Sequence, residues 1–358
     1  MKIGNIDLGA KQLLAPMAEV TDTPFRTIAK QNGAGLTFTQ MVSARGVIDN
    51  EFETLQNLSF SNSEAPIGVQ VLGNNARTIG YAVKEIARFK PALIDLNCGC
   101  PVTKVTKHNM GASLLNDTEK ISSLVKSMVD NSDGIPISVK LRLGLTDRNI
   151  NIIENANAVK EAGAALIFVH ARTKQDRYDE EPDWNWLKVL KQETDIPIVG
   201  NGSIFTPQDI KEMLEQTKCD SVLVARGALG NPFIFSRYNA LVETGYDPGP
   251  PDILEVGRTV TKHLDLLVQN YGEFKALPKT KKNIVWYFRN YDGISVLLAD
   301  IFAINEIEQL KNYVLNHSEK IKENYFEKED LEEIDEKFKQ KVLFWLLEKK
   351  DIYEDLYI

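Results

Sequence analysis

Short apolar runs alternate with amphipathic stretches over residues 13–225. The runs are Leu13–Met17, Leu36–Thr39, Ile67–Leu72, Leu93–Asn97, Ile137–Leu141, Leu166–His170, Ile196–Gly200 and Ser221–Ala225. Eight apolar strands alternating with helical segments predict an α/β protein, a closed (β/α)8 TIM barrel. Polar or reactive residues gather at or just past the strand C-termini: Gln40, Gln70, Asn97, Cys100, Lys140, Arg142, His170, Arg172, Asn201 and Arg226. Such barrels carry their active sites on that face, so the chain reads as an enzyme.

The connections fit this reading. Thr21-Asp22-Thr23-Pro24 predicts a capped helix start, with a stop near Gly33. Asn74 opens a second helix, and Asp117–Val129 and Ile152–Ala162 have helical spacing. Thr206-Pro207-Gln208-Asp209 resembles a capping box. Asp247-Pro248-Gly249-Pro250-Pro251 interrupts both helix and strand, which predicts a catalytic barrel over residues 1–246 and a smaller all-helical C-terminal domain over 252–358. Ile253–Tyr271, Lys279–Tyr291 and Ile294–Val314 read as helices of a small bundle, with Lys328–Leu347 at its end.

Composition narrows the class. No segment approaches the roughly 18 unbroken apolar residues of a membrane span, and Met1–Asn5 lacks a signal-peptide core. A cytoplasmic location without membrane contact is expected. Cys98, Cys100 and Cys219 are too few and too oddly spaced for a disulfide framework or a zinc site, so no metal is expected. The net charge of −8 argues against indiscriminate nucleic-acid binding but leaves room for a local basic patch.

Candidate chemistry begins at the seventh and eighth strands. Gly200-Asn201-Gly202-Ser203 and Ala225-Arg226-Gly227 stand where barrels commonly bind phosphate. Glycines allow close backbone approach, free N–H groups meet an anion, and Arg226 offers a forked cation. The phosphate could belong to a sugar phosphate or to FMN. Gln70 and Lys140 favour FMN, because they can bond the N–C=O edge of an isoalloxazine and place positive charge beside it. Pro16-Met17-Ala18 adds backbone and a thioether. No GxGxxG follows a strand, so a built-in Rossmann site is not indicated. Cys100, exposed on a stiff Gly/Pro turn, suits a proton donor, since a thiol with pKa near 8.5 stays protonated at neutral pH. Cys98 and Cys219 read as small buried hydrophobes.

At these residues the sequence resembles the tRNA-dihydrouridine synthases, in particular their bacterial B-type group. The matching segments are Leu14–Arg26, Asp95–Pro101, Val139–Gly144, His170–Thr173, Gly200–Ile204 and Ala225–Phe235, and the resemblance spans roughly residues 3–315. It implies FMN held by Pro16, Met17, Ala18, Gln70, Lys140, His170, Asn201, Gly202, Ser203, Ala225 and Arg226. It implies Cys100 as proton donor, and Asn97, Arg142 and Tyr178 around the uracil. Two positions depart from the pattern: Cys98 where many relatives have methionine, and Ala225 where glycine is common.

The implied reaction adds hydride from reduced FMN to uracil C6 and a proton from Cys100 to C5, with Arg142 and Asn97 steadying the developing enolate oxygen. NADPH as transient reductant would reload the flavin; its site is not visible in the sequence. The uridine must leave its stack, at a cost of a few kcal/mol. A tRNA substrate needs a grip, and Lys275, Lys279, Lys281, Lys282 and Arg289 follow one another with no acid between them. Lys279, Lys281 and Lys282 are the expected phosphate contacts. The interleaved Trp286, Tyr287 and Phe288 read as helix core. His108, Trp184 and Trp186 read as surface or packing residues. A monomer is expected. A reductase of a free pyrimidine or small enone, and a non-enzymatic tRNA-binding protein, stand as alternatives.

Overall fold

The apolar runs show little alternation because both of their faces are buried, as in a parallel sheet covered by helices. In the computed structural model, which describes residues 2–323 apart from 4, 5, 9, 290, 292–296, 298 and 299, they form eight parallel strands. These are β1 (Gln12–Leu14), β2 (Thr37–Phe38), β3 (Ile67–Leu72), β4 (Leu93–Asn97), β5 (Ile137–Arg142), β6 (Leu166–His170), β7 (Ile198–Asn201) and β8 (Ser221–Val224). The spatial order β1-β8-β7-β6-β5-β4-β3-β2 is that of a TIM barrel. Leu14 N–H donates to Leu36 O at 2.9 Å and Gly35 N–H to Gln12 O at 3.0 Å, which joins the two ends of the ring.

The interior is plugged. Leu13, Leu36, Phe38, Leu93, Leu166, Phe168, Val199 and Leu223 form one buried cluster, with Phe38 edge-on to Phe168 at 5.3 Å. Phe38 fits because Gly68 on β3 has no side chain: a Cβ there would strike the ring. With this layer filled by hydrocarbon, polar groups are left to the strand C-terminal ends.

Helices α1 (Thr23–Gln31), α2 (Ala76–Ala87), α3 (Thr118–Asn131), α4 (Ile152–Glu161), α5 (Asn185–Glu193), α6 (Pro207–Thr217) and α7 (Phe233–Thr244) lie among the strands in sequence. Asp22 caps α1 by accepting from Phe25 N–H, and Thr206 with Asp209 forms a full capping box on α6. Asn75, rather than Asn74, caps α2. A hairpin missing from the sequence reading, Gly144–Thr146 with Asn149–Ile150, follows β5. A Cβ on Gly144 would collide with Asn149 O, so this turn requires glycine.

Beyond α7 come α8 (Ile253–Tyr271), α9 (Glu273–Phe288) and α10 (Ile307–Lys322). Val256, Val260, Leu264, Leu267, Ile284, Phe288, Leu310 and Val314 form their shared core. Two expectations need correction. Helix α9 begins at Glu273, not Lys279, and carries Pro278 inside it. The expected helix Ile294–Val314 is not continuous: Phe302–Glu306 is non-helical, Glu306 is extended (φ −119, ψ 137), and α10 starts at Ile307. Apolar spacing persists across the break through Ile301, Ile304 and Ile307, so periodicity could not show it. The stretch Lys328–Leu347 lies outside the described residues. No described helix is long and apolar enough to cross a membrane.

The helical part rests directly on the barrel. Gly230 (φ +60), just before α7, abuts the Trp286–Tyr287 backbone of α9, where any Cβ would clash. Beside this seam His263 is 1% exposed, near the Phe25 ring of α1 and within 3.3 Å of Tyr287 Oη through Nδ1. Its Nε2 meets no hydrogen-bond partner. Burial, aided by Lys279, pushes the imidazole down to about 3. The unfolded chain therefore takes up this proton first, and stability is lost as pH falls below about 6.5. We expect His263→Phe to flatten the acid loss of melting temperature. At pH 5 the wild type should lose up to about 2 kcal/mol more than the variant, relative to pH 7.5. Thermal denaturation of both proteins at the two pH values checks this; parallel losses would contradict it.

Candidate active site at the strand C-terminal ends

The polar strand ends open into one cleft made of two joined cavities. The larger, about 1,010 Å³, extends along β1, β6, β7 and β8; the smaller, about 480 Å³, lies over β3, β4 and β5. Pro16, Ala18, Lys140, His170 and Tyr178 line both. Of the expected residues, Pro16, Met17, Ala18, Lys140, His170, Tyr178, Asn201, Gly202, Ser203, Ala225 and Arg226 line the larger cavity. Gln70, Asn97, Cys100 and Arg142 line the smaller. Lys282 and Trp286 of α9 reach the larger one, whereas Lys279 and Lys281 line a separate groove.

At one end Arg226 projects from the single turn Arg226–Ala228, whose first N–H groups have no partner within the turn. Its guanidinium lies 4.9 Å from the Tyr178 ring centre and 5.3 Å from that of Phe205, and donates to Tyr178 O at 2.9 Å. Gly202 (φ +141) and Ser203 (φ +50) bend the loop after β7 toward it. Asn201 is anchored by a bond from Nδ2 to Leu223 O at 2.7 Å. Gly227, however, does not make room for a ligand: a Cβ there would strike Ile204 O, so this glycine lets the two loops pack together.

At the other end, Cys100 is not exposed as expected. It is 9% exposed, packed with Leu72, Val102 and Val105, while still facing the small cavity. Burial pushes the thiol up, against pulls from the Val102 backbone bond, Arg142 and Lys140, which favours the protonated form at neutral pH. Cys98 is fully buried in the core.

Three residues expected to bind ligands are already engaged by protein. Gln70 Nε2 donates to Asp95 Oδ2 at 2.8 Å, and its Oε1 accepts from Asn97 Nδ2 at 2.8 Å. Asn97 Oδ1 accepts from the N–H groups of Gly99 and Cys100 at 3.1 and 2.9 Å, so Asn97 holds the thiol loop. Arg142 donates to Gly99 O at 2.8 Å, Thr173 O at 2.6 Å and Tyr178 Oη at 3.4 Å, tying that loop to the loop after β6.

The sequence reading missed Asp95 and left Arg172 without a role. Asp95 is 1% exposed in β4 and is pushed up to about 6 by burial, held back by bonds from Gln70 and Ser138 and by Lys140. An acid inside an otherwise apolar strand was the available signal. Arg172 donates to Glu180 O, Tyr178 O and Ser203 Oγ and sits 3.2 Å from His170 Nε2. It fastens the β6 loop to the β7 loop.

Lys140, Arg142, Arg172, Arg226 and Lys282 line the joined cleft and, among the described residues, no aspartate or glutamate does, although the buried Asp95 acts on Lys140 from within the strand. Lys140 is pushed down to about 8, by burial and then Arg142, against Asp95 and Cys100. His170 is held well below its usual range by burial and the four neighbouring cations Arg142, Lys140, Arg172 and Arg226, so it is neutral. A site of this kind suits an anionic ligand and a thiol acid. Among the described residues no His, Cys, Asp and Glu cluster could hold a metal ion.

Comparison with known proteins settles the family. The model of the family "Dihydrouridine synthase (Dus)" matches residues 13–339. The chain is 32% identical over 313 residues to a probable tRNA-dihydrouridine synthase of Rickettsia conorii, covering 86% of this chain and 94% of that one. It is 31% identical over 320 residues to tRNA-dihydrouridine synthase B of Vibrio vulnificus, covering 88% and 99%. This chain belongs to the dihydrouridine synthase family. Solved structures of similar fold include morphinone reductase in complex with tetrahydroNAD (TM-score 0.51, 12% identity, 70% of this chain and 92% of that one). Another is histamine dehydrogenase from Rhizobium sp. 4-9 (TM-score 0.54, 15% identity, 74% and 50%). At such identity they carry the barrel fold alone.

Within this dihydrouridine synthase the basic run is divided differently from expectation. Lys279, its side chain 28% exposed at the separate groove, has acidic neighbours. Its Nζ lies 3.8 Å from Glu19 and 3.9 Å from the buried Asp22, both on the loop after β1, and 4.9 Å from the Tyr271 ring centre. Lys282 sits 5.2 Å from the Trp286 ring centre at the cleft. Lys281 donates to Phe302 O at 3.1 Å. Trp286, Tyr287 and Phe288 are buried, as read from the sequence.

Lys279 thus belongs to the seam between helix and barrel. We expect Lys279→Glu, which sets a third carboxylate beside Glu19 and Asp22, to lower the melting temperature of the RNA-free protein by several degrees. Lys281→Glu should leave it within about a degree, as expected of a surface change. Equal melting of the two variants would contradict this assignment.

Proposed function

We propose that this enzyme reduces the C5=C6 bond of uridines in tRNA to 5,6-dihydrouridine, with FMN as cofactor, NADPH as reductant and Cys100 as proton donor. The observation that carries the reading is the cleft running from Arg226 to Cys100, lined by cations and, among the described residues, by no carboxylate, in a chain of net charge −8. Family membership supports the tRNA substrate and a flavin. The tetrahydroNAD complex of morphinone reductase accords with a nicotinamide reductant.

The residues present fit FMN. Arg226, Asn201, Gly202, Ser203 and Ala225 would hold its phosphate, where a forked cation meets the first N–H groups of a turn. Pro16, Met17, Ala18, Lys140 and His170 would hold the ring, with Gln70 reaching it by a remaining amide hydrogen. The bound, reduced cofactor supplies hydride to the electrophilic C6 of uracil.

The chain's own groups do the rest. Cys100 keeps a proton on sulfur for C5, because burial opposes its ionisation. Arg142 and Lys140 bring positive charge toward the carbonyl edge of the base, where negative charge grows as the double bond is reduced. Arg142 acts from a fixed position, since its other donors already hold the two flanking loops. Tyr178, beside Arg142, would pack against the base. The barrel of residues 1–246 would carry the chemistry and residues 252–358 would grip the tRNA. In that grip Lys281 fits phosphate contact better than Lys279 or Lys282.

Cys100→Ala should retain the flavin spectrum and its reduction by NADPH. Dihydrouridine formation on unmodified tRNA, read by mass spectrometry, should fall at least about a hundredfold, the scale of one general acid. Full turnover by this variant would reject the proton-donor role. Equal turnover of free uridine would reject the tRNA reading.

A further inference from the structure

Asp95 has no place in the reaction as described, yet it ends a chain of hydrogen bonds that reaches the thiol loop. It accepts from Gln70 Nε2 at 2.8 Å and from Ser138 Oγ at 2.7 Å. Gln70 Oε1 then accepts from Asn97 Nδ2, and Asn97 Oδ1 accepts from Gly99 and Cys100 N–H. Every bond points the same way: each donor faces Asp95 and each acceptor faces Cys100.

The direction is fixed at both ends, by the Asp95 acceptor and by the backbone N–H donors of Gly99 and Cys100. An ionised carboxylate accepts and cannot donate, so Gln70 must turn its NH2 toward Asp95 and its oxygen toward Asn97. Asn97 must then turn its NH2 toward Gln70 and its oxygen toward the loop. If Asn97 flipped, its NH2 would face the N–H groups of Gly99 and Cys100 and the loop would lose two bonds; if Gln70 flipped, its NH2 would face that of Asn97 and its oxygen the carboxylate. Asp95 is 1% exposed and lines neither cavity, so a partner lost there is not replaced by cleft water, whereas Gln70 and Asn97 border the small cavity.

We propose that Asp95 is a positioning residue for the thiol: acting through Gln70 and Asn97, it sets the amide orientations that hold the Cys100 loop in its reactive place. The inference rests on Cys100 as proton donor, but its geometric part stands apart from that reading. Two titratable groups sense Asp95 directly, Lys140 on β5 and Cys98 at the end of β4. The carboxyl is pushed up to about 6. Once protonated it can still accept from Gln70 through its carbonyl oxygen while its O–H donates to Ser138 Oγ, so the relay needs an acceptor at this position rather than a charge.

Two variants separate the relay from the charge. Asp95→Asn can still accept from Gln70 while donating to Ser138 Oγ, which is able to accept. Asp95→Ala leaves Gln70 Nε2 without an acceptor. Flavin-loaded proteins would be reduced by NADPH and then mixed anaerobically with unmodified tRNA, with both half-reactions followed by flavin absorbance. For Asp95→Ala, reoxidation by tRNA should slow at least about tenfold, the scale of one unsatisfied buried donor. Reduction by NADPH should stay within about twofold. Iodoacetamide labelling of Cys100, located by tandem mass spectrometry, should speed up as the loop loosens.

Asp95→Asn should keep most of the reoxidation rate and the slow labelling. Unchanged labelling in Asp95→Ala, or a loss of reoxidation rate in Asp95→Asn as large as in Asp95→Ala, would overturn the proposal. Failure of the proton-donor reading would appear elsewhere, as turnover by Cys100→Ala, and would leave the labelling result to decide the relay.

Discussion

Five cations share one partly dehydrated cleft, and much of the surrounding structure serves to hold them there. Like charges out of water repel, and each loses hydration unless oxygen atoms replace it. The replacement here is backbone and hydroxyl oxygen rather than carboxylate. Arg142 binds Gly99 O, Thr173 O and Tyr178 Oη, while Arg172 binds Tyr178 O, Glu180 O and Ser203 Oγ. Neutral oxygens fix the guanidinium groups without cancelling their charge. The cleft remains positive, which suits an anionic ligand. Burial, aided by the same field, keeps His170 neutral, and burial keeps the Cys100 thiol protonated.

This constraint also accounts for the loops. The segment after β6 crosses the cleft because Arg142, Arg172 and Arg226 all draw on its oxygens: Thr173 O, the Tyr178 and Glu180 carbonyls and Tyr178 Oη. Glycines serve fit between loops as much as access to ligand. Gly227 lets the β8 turn lie on Ile204, Gly144 closes the hairpin after β5, and Gly230 admits α9 against the barrel. The last contact brings Lys282 and Trp286 to the cleft, so the helical part contributes to the wall of the site.

Much of this was legible in the residue order. β3, β4 and β6 match their apolar runs residue for residue, and the other strands differ at their ends, where β1 stops before Pro16. The site face followed from the polar strand ends, because strand direction alone decides which end of a barrel they share. Engagement was not legible. Gln70, Asn97 and Arg142 appear in sequence as free hydrogen-bonding groups; only their neighbours across strands show them bonded to Asp95, the thiol loop and the β6 loop. Lys279 reads as part of a basic run, but its partners Glu19 and Asp22 lie on a loop some 250 residues earlier in the chain. The break before Ile307 was hidden by apolar spacing that continues across it.

The proposed function requires the cationic cleft to hold a phosphorylated flavin with Arg226 at the phosphate. Titration of the flavin-free protein with FMN and with riboflavin, followed by flavin fluorescence, probes this contact. FMN should bind at least about a hundredfold more tightly, a difference of about 2.7 kcal/mol, and Arg226→Ala should remove most of that preference. Equal affinity for the two flavins, or no binding of either, would contradict it.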